Sequence, residues 1–224
     1  MSQVNARLVY RNALNKMKQA GVNPATAILS QSYLRLELIA SATRTSYQFG
    51  VLTNDAPSGT PQRPTENRLN LQDAFYCSSV QLFTSLAPTS SSTSFSLDSY
   101  PNPRKYSDTS VATAMYNLYN GYMSLTVNNR VITPSWDLYR HLDIAQTQQN
   151  NLPAVTGYTL DQFDGEKTSA VACEPNWVLI GSKNNQLSLT LPSAMSPLQT
   201  TSTPTTVICC ILRGVLAQNV TVVS

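Results

Sequence analysis

The chain has 224 residues, of which 42% are hydrophobic and only 12% are charged, about half the usual share of charge. It contains no P-loop, dinucleotide-binding fingerprint or G-x-S-x-G nucleophile motif, and no apolar run approaches the roughly 20 residues that span a bilayer. The first acidic residue is Glu37, and the basic residues before it are Arg7, Arg11, Lys16, Lys18 and Arg35. Since the whole chain has a net charge of +3, the part from Glu37 onward is slightly acidic. A basic N-terminal segment of this kind suggests contact with nucleic acid or an anionic membrane.

The N-terminal segment 2–20 is predicted to be an amphipathic helix. Ser2 can cap its start, Gly21 can end it, and Pro24 follows. At 100° per residue basic side chains line the edge of an apolar arc that comprises Ala6, Tyr10, Ala13, Leu14 and Met17. Two alternatives are open at this point: an arm whose cations meet an anionic surface, or a helix packed on its own domain with a solvated basic edge.

Short β-strands are predicted along the rest of the chain. Alternation in 32–38 places Leu34, Leu36 and Leu38 on one face, and Asn128-Asn129 between two β-rich runs indicates a hairpin. The run 207–216 is apolar on both faces, which is typical of a central strand of a sandwich. The other predicted elements are strands at 47–52, 74–86, 122–127, 130–133, 177–181, 187–191 and 220–223, and a helix at 109–119 capped by Asp108. This pattern predicts an all-β jelly-roll sandwich with the N-terminal helix and one further short helix.

Few residues indicate chemistry. The cysteines form no C-x-x-C pair and are interpreted as buried free thiols, which suit a reducing compartment; they are Cys77, Cys173, Cys209 and Cys210. The single histidine, His141, is interpreted as structural or surface-exposed rather than catalytic. A loop with Asp161, Asp164 and Glu166 is the best candidate for a calcium site, with an ordinary solvated acidic loop as the alternative. We therefore predict no enzymatic activity and no cofactor.

Four features together resemble a virion shell protein. They are the basic helix (2–20), the strand-rich body with Pro- and Ser-rich loops, the stretch SYPNPRKYSDTSVATAMYNLYNGYMSLTVNN (99–129) and the apolar strand VICCILRGVLAQN (207–219). In this organisation the chain resembles the small jelly-roll major capsid proteins of tailless, icosahedral, membrane-containing bacteriophages. The resemblance covers the whole chain and rests on organisation rather than on a diagnostic motif.

This resemblance implies a basic helical arm at 1–24 and two side-by-side jelly rolls at 25–120 and 121–224, or alternatively one elaborated jelly roll over 25–224. It implies a homotrimeric capsomer of an icosahedral shell, with copies of itself, other capsid proteins and an anionic internal membrane as partners. No sequence-specific nucleic acid and no small-molecule substrate are expected, and the location is the virion, assembled in the host cytoplasm. The residues expected to face the membrane or the genome are Arg7, Arg11, Lys16 and Lys18.

Two other functions stay open from the sequence. A carbohydrate- or receptor-binding β-sandwich, such as a spike or fibre module, could use tyrosines and Trp136 or Trp177 to stack on sugar rings, with calcium in the acidic loop. The apolar neighbours of Trp177 at 178–180 favour a core position for that tryptophan. A hydrolase built around His141 ranks last, because no motif supports it.

Overall fold

Two antiparallel four-stranded sheets face each other across a hydrophobic core in the computed structural model. The structure describes residues 3–23, 27–56, 62–87, 93, 97–99, 115–142, 170–195 and 205–222. Within these ranges most residues lie in strands and few lie in helices. The predicted all-β sandwich is therefore confirmed at this level.

The elements follow the predicted order. Helix α1 spans Gln3–Gln19, residues 115–119 are also helical, and a short 3-10 turn spans Tyr139–His141. The predicted caps Ser2 and Asp108, and most of the predicted second helix, lie outside the described residues. The strands are β1 (Val22–Asn23), β2 (Ile28–Ile39), β3 (Ser46–Phe49), β4 (Ala74–Ala87), β5 (Tyr122–Val127), β6 (Arg130–Asp137), β7 (Val171–Ile180), β8 (Asn185–Thr190), β9 (Thr205–Gln218) and β10 (Thr221–Val222).

The strands pair in a nested manner. The first sheet has the order β2-β9-β4-β7 and the second the order β3-β8-β5-β6. Thus β2 pairs with β9, β3 with β8, β4 with β7 and β5 with β6, always antiparallel. The short pair of β1 with β10 continues the nesting at both ends of the chain. The main strands therefore form one long antiparallel ribbon whose successive pairs alternate between the two sheets.

The predicted boundary between residues 120 and 121 does not divide the two sheets. β2, β3 and β4 lie before it, β5 to β9 lie after it, and strands from both sides pair in each sheet. The described strands before and after residue 120 thus contribute together to both sheets of the sandwich. The two long strands before residue 120, β2 and β4, both pair with β9, and the short strand β3 pairs with β8.

The core is built from side chains that alternate along the strands toward the facing sheet. Leu34 and Leu36 of β2 are buried there, as the alternation predicted. β9 lies between β2 and β4 and is buried on both faces. Cys209 and Cys210 are adjacent residues of β9, and their side chains point to opposite faces of the sheet. The side chain of Cys210 lies in the core between the sheets, and that of Cys209 lies in a small apolar cluster outside it.

Turn residues agree with their local sequence signals. Asn128 and Asn129 connect β5 to β6 with φ angles of 51° and 62°, a left-handed conformation that asparagine tolerates better than most residues. Gly21 ends α1 with a φ of 84°, which glycine adopts without steric penalty. Both the hairpin and the end of the first helix are thus confirmed.

Candidate functional site: the outer face of the first sheet

The outer face of the first sheet is the face of β2, β9, β4 and β7 that points away from the second sheet, and α1 packs on one end of it. Ala13 and Met17 of α1 are fully buried in a cluster that also contains Ala74, Tyr76, Ile180, Val215 and Ala217. Partly buried residues of the helix, Val9 and Tyr10, flank this contact. Of the two alternatives left open by the sequence, the structure has the helix packed on its own domain.

The solvent-exposed side of α1 carries basic residues. Arg11, Lys16 and Lys18 are exposed, and Arg7 precedes Arg11 by about one turn in the same helix. At 100° per residue, Arg11 and Lys18 lie on the side of the helix opposite to its buried residues. Leu8 lies beside them and is 56% exposed. The side of α1 that faces solvent therefore carries positive charge together with an exposed apolar side chain.

A buried ion-pair network lies at the other end of the outer face. The side chain of Glu37 on β2 has no solvent exposure, and its Oε1 accepts a hydrogen bond from Nε of Arg35 at 2.7 Å. Its Oε2 forms an ion pair with Nε of Arg63 at 2.9 Å and accepts a hydrogen bond from the Thr65 hydroxyl at 2.8 Å. A buried carboxylate of this kind depends on its partners, because desolvation strongly disfavours an unpaired charge.

Glu66 connects the segment 63–68 to β2. One carboxylate oxygen accepts the backbone N–H of Glu37 at 2.9 Å, and the other accepts the backbone N–H of Arg63 at 2.7 Å and pairs with Arg68 at 2.8 Å. The guanidinium of Arg68 lies over Gly50, where a Cβ atom would come within 2.6 Å of Cζ. Sequence reasoning missed this network because its charges belong to two segments that only the fold brings together.

The two tryptophans and the histidine form a buried cluster between the sheets. Nε1 of Trp136 donates to Nε2 of His141 at 2.9 Å, and Nε1 of Trp177 donates to Oγ1 of Thr133 at 2.8 Å. The two indole rings are packed edge to face, with a distance of 5.5 Å between the ring centroids. His141 is fully buried and serves as a hydrogen-bond acceptor, so the structural interpretation of this residue is confirmed. Neither tryptophan offers a face to a sugar ring.

All four cysteines are free and buried, as predicted. The sulfur atoms of Cys77 and Cys173 lie 3.6 Å apart in the core. Burial raises the pKa of Cys77 and of Cys210 well above the ordinary range of a thiol, and the hydrogen bond to Cys173 adds to the effect at Cys77. Protonated thiols of this kind are poor nucleophiles and poor metal ligands, which assigns them a packing role.

The remaining sequence candidates concern metals and membranes. Asp161, Asp164 and Glu166 lie outside the described residues. Within the described ranges, no group of three or more metal-binding side chains comes together. Among those same residues, no helix is both long enough and apolar enough to span a bilayer.

Comparison with known proteins assigns no family. No protein-family model matches the chain, and no curated protein matches it significantly. The function is therefore argued from the strand order and from the surfaces of the sandwich.

Proposed function

We propose that this chain is a structural virion protein that assembles with copies of itself into a shell. The observation that carries the proposal is the nested order of the strands in two sheets, which supports a single jelly roll. The jelly roll is an eight-stranded double-sheet fold that is common in viral capsid and lectin domains. Because a fold alone does not define a function, the surfaces of the sandwich carry the rest of the argument.

The outer surface of the second sheet supports contact between copies. On three of its strands, β3, β8 and β5, the side chains that alternate with the core are uncharged, and they are Ser46, Gln48, Tyr122, Ser124, Thr126, Gln186, Ser188 and Thr190. The edge strand β6 adds one charge, Asp137, beside Tyr122. Two faces formed by the three uncharged strands can meet without like-charge repulsion and without the desolvation of ions. With only 12% charged residues in the whole chain, dense packing of many copies meets little electrostatic resistance.

A single sandwich per chain changes the expected number of copies in a capsomer. The resemblance to phage major capsid proteins implies trimers of chains that each contain two jelly rolls. The described strands of this chain form one nested ribbon, which supports one sandwich per chain. We therefore propose that a pseudo-hexagonal block of the same size contains twice as many chains as a trimer.

The outer face of the first sheet is proposed to point into the particle, toward an anionic membrane or the genome. Arg11, Lys16 and Lys18 are exposed on α1, and no acidic residue precedes Glu37. Each basic residue near an anionic leaflet contributes about 1 kcal/mol, and this small attraction is multiplied when many copies bind together. The virion is accordingly the proposed location, and no catalytic role is proposed.

The alternative, a carbohydrate- or receptor-binding module, has less support. The two tryptophans proposed for sugar stacking are buried. Among the described residues, exposed tyrosines remain available for stacking, and they are Tyr33, Tyr116, Tyr122 and Tyr139. Lectin domains also use jelly rolls, so the fold is compatible with both functions.

Light scattering over a concentration series tests the shell proposal. The expected result is a mass well above the 24.5 kDa of one chain that rises with concentration. A monomer at every concentration would contradict the proposal and favour the binding module, for which a glycan array is the next measurement.

Vesicle binding tests the orientation of α1. The triple variant Arg11→Gln, Lys16→Gln, Lys18→Gln should bind anionic vesicles roughly 100-fold more weakly, because it lacks three contributions of about 1 kcal/mol. Arg130→Gln, an exposed position at the hairpin of the second sheet, is the matched control and should bind normally. Substitution is preferred to deletion of the helix, because deletion would uncover the apolar cluster around Met17.

A further inference from the structure

Two thiols on neighbouring strands are in contact in the core of the sandwich. Cys77 lies on β4 and Cys173 on β7, they are 96 residues apart in the sequence, and their sulfur atoms are 3.6 Å apart. Both residues are buried, and both are free thiols. A disulfide bond has a length of about 2.05 Å, so the two sulfur atoms have to approach each other by about 1.5 Å to form one.

The strand pairing is irregular beside these two residues. The register of β4 and β7 shifts just after Cys77, where residues 173–176 of β7 lie opposite Ser78 of β4. The side-chain amide of Asn176 closes this bulge by donating to the backbone oxygen of Cys173 at 2.9 Å. Among the described strands, β7 is at the edge of the first sheet. A bulge on an edge strand interrupts the ladder of hydrogen bonds, so this part of the sheet should open more readily than its centre.

We propose that Cys77 and Cys173 form a site of reversible oxidation, at which a hydroperoxide converts the two thiols into a disulfide bond that links β7 to β4. The bond forms within one chain, so this inference goes beyond the proposed shell function and does not depend on assembly. Exchange with small thiols returns both cysteines to the free state. The pair is therefore expected to be reduced inside a reducing compartment and oxidised outside it.

Cys173 is assigned the first step, because it lies in the bulge of the edge strand. When β7 opens, the sulfur of Cys173 attacks hydrogen peroxide, the O–O bond breaks, and the thiol proton leaves with the departing hydroxide as water. The product is a sulfenic acid at Cys173. Burial raises the pKa of Cys77, which makes this thiol a poor nucleophile toward peroxide while the strand is closed.

Cys77 completes the reaction after β7 has closed again. Its sulfur attacks the sulfenic sulfur of Cys173, the S–S bond forms, the S–O bond breaks, and the thiol proton leaves with the hydroxyl group as a second water. The contact between the two sulfur atoms favours this step, because it makes the attack intramolecular. Two thiols have then given two electrons to one peroxide molecule, and the products are one disulfide and two waters.

A count of free thiols before and after exposure of the whole chain to hydrogen peroxide tests the site. The count should fall from four to two, and a peptide map without reductant should join the peptides of Cys77 and Cys173. Because the bond closes a loop of 96 residues, the melting temperature should rise by about 5–15 °C. Dithiothreitol should reverse both changes, whereas methionine sulfoxide, another product of peroxide, needs an enzyme for its reduction.

Three variants show which thiols react. Cys173→Ala and Cys77→Ala should each keep three free thiols, and their melting temperatures should not rise after exposure. Cys173→Ala decides the matter if Cys77→Ala does not fold, because Cys173 lies on an edge strand. Cys209→Ala is the matched control, since Cys209 lies in the cluster on the opposite face of the first sheet. Its count should fall from three to one, with the same rise in melting temperature.

The exposure is repeated in urea below the unfolding midpoint, where local opening is more frequent. Cross-linking of Cys77 to Cys173 should then be faster. Four free thiols under both conditions would overturn the proposal. A different pair in the peptide map, a bond between two chains, or a sulfinic acid at Cys173 without a link to Cys77 would overturn it as well.

Discussion

Glu37 is the first acidic residue of the chain, and its carboxylate is completely buried beside two guanidinium groups. The alternation that places Leu34 and Leu36 in the core places Glu37 on the outer face, where segment 63–68 covers it. A charge in such a position is retained only because each of its oxygens has a partner. The network thereby anchors an irregular segment to the edge strand β2.

Replacing Glu37 by glutamine should destabilise the fold strongly. The variant keeps the shape of the side chain but leaves Arg63 without its carboxylate, and breaking a buried pair costs about 3–5 kcal/mol. Urea unfolding followed by tryptophan fluorescence measures the loss. Asp137→Asn, an exposed position, should change the free energy of unfolding by less than about 0.5 kcal/mol. A loss at Glu37→Gln no larger than in this control would show that the network contributes little to stability.

The thiol of Cys209 should make stability depend on pH in the alkaline range. Burial raises the pKa of Cys209 to about 12, with Glu37 adding to the effect and Arg35 opposing it. In the unfolded chain a thiol loses its proton near pH 8.5. Between these values the unfolded state binds fewer protons than the folded state, so the free energy of unfolding falls as pH rises, by about 1.4 kcal/mol per pH unit.

This prediction is checked by urea unfolding between about pH 9 and pH 11, within the window set by the two pKa values. Cys209→Ala should show a slope shallower by about 1.4 kcal/mol per pH unit than the unmodified chain. Ile211→Val removes volume from the same small cluster without removing a titrating group, so its slope should be unchanged. Equal slopes in all three proteins would contradict a strongly raised pKa at Cys209.

At the scale of elements, α1 should behave as part of the sandwich rather than as a detachable arm. Met17 is fully buried on the outer face, and truncating a buried methionine to alanine typically costs about 2–5 kcal/mol. Met17→Ala should therefore lower the unfolding midpoint seen by Trp136 and Trp177, which lie in the core away from the helix. Leu8→Ala, at an exposed position of the same helix, is the control and should have little effect. An unchanged midpoint for Met17→Ala would mean that α1 undocks without affecting the strands.

The elements that sequence reasoning found are those with a strong local signal. Alternating leucines defined β2, an apolar run defined the central strand β9, and two asparagines defined the hairpin between β5 and β6. Whether the chain divides at residue 120 into two jelly rolls, as the resemblance implies, or forms one elaborated jelly roll stayed open, because nothing local reveals that β2 pairs with β9 or β4 with β7. It also left the docking of α1 open, since an apolar arc looks the same whether it meets a sheet or a membrane. Both points depend on contacts between residues that are far apart in the sequence.

For the whole molecule, the nested order ties the two ends of the chain together. β2 pairs with β9 along its full length, and β1 pairs with β10 beyond them. In the first sheet β9 lies between β2 and β4, although it follows both of them in the sequence by more than 100 residues. The strands β2 and β4 are therefore joined in one sheet only through β9. Contacts of such long sequence separation close late in folding, because the loop entropy must be overcome first. The first sheet is therefore complete only when β9, near the end of the described residues, has paired with β2 and β4.

The uncharged part of the outer face of the second sheet, formed by β3, β8 and β5, is where assembly should be most sensitive to an added charge. Ser188 lies in the middle of this face, between Gln48 of β3 and Ser124 of β5. In a single chain a lysine at this partly exposed position stays hydrated, whereas between two copies its ammonium group must be desolvated without a partner. Ser188→Lys should therefore reduce the mass measured by light scattering toward that of one chain, while the melting temperature changes little. Gln48→Lys, at an exposed position of the same face, should do likewise.

Gln72→Lys supplies the matched control, because it adds the same charge at an exposed turn before β4, outside this face. It should assemble like the unmodified chain if the effect is local. Normal assembly of both Ser188→Lys and Gln48→Lys would show that copies meet through another surface. Dissociation of all three variants would instead indicate a general sensitivity to net charge, in which case the low charge of the whole chain, rather than one face of it, governs the assembly.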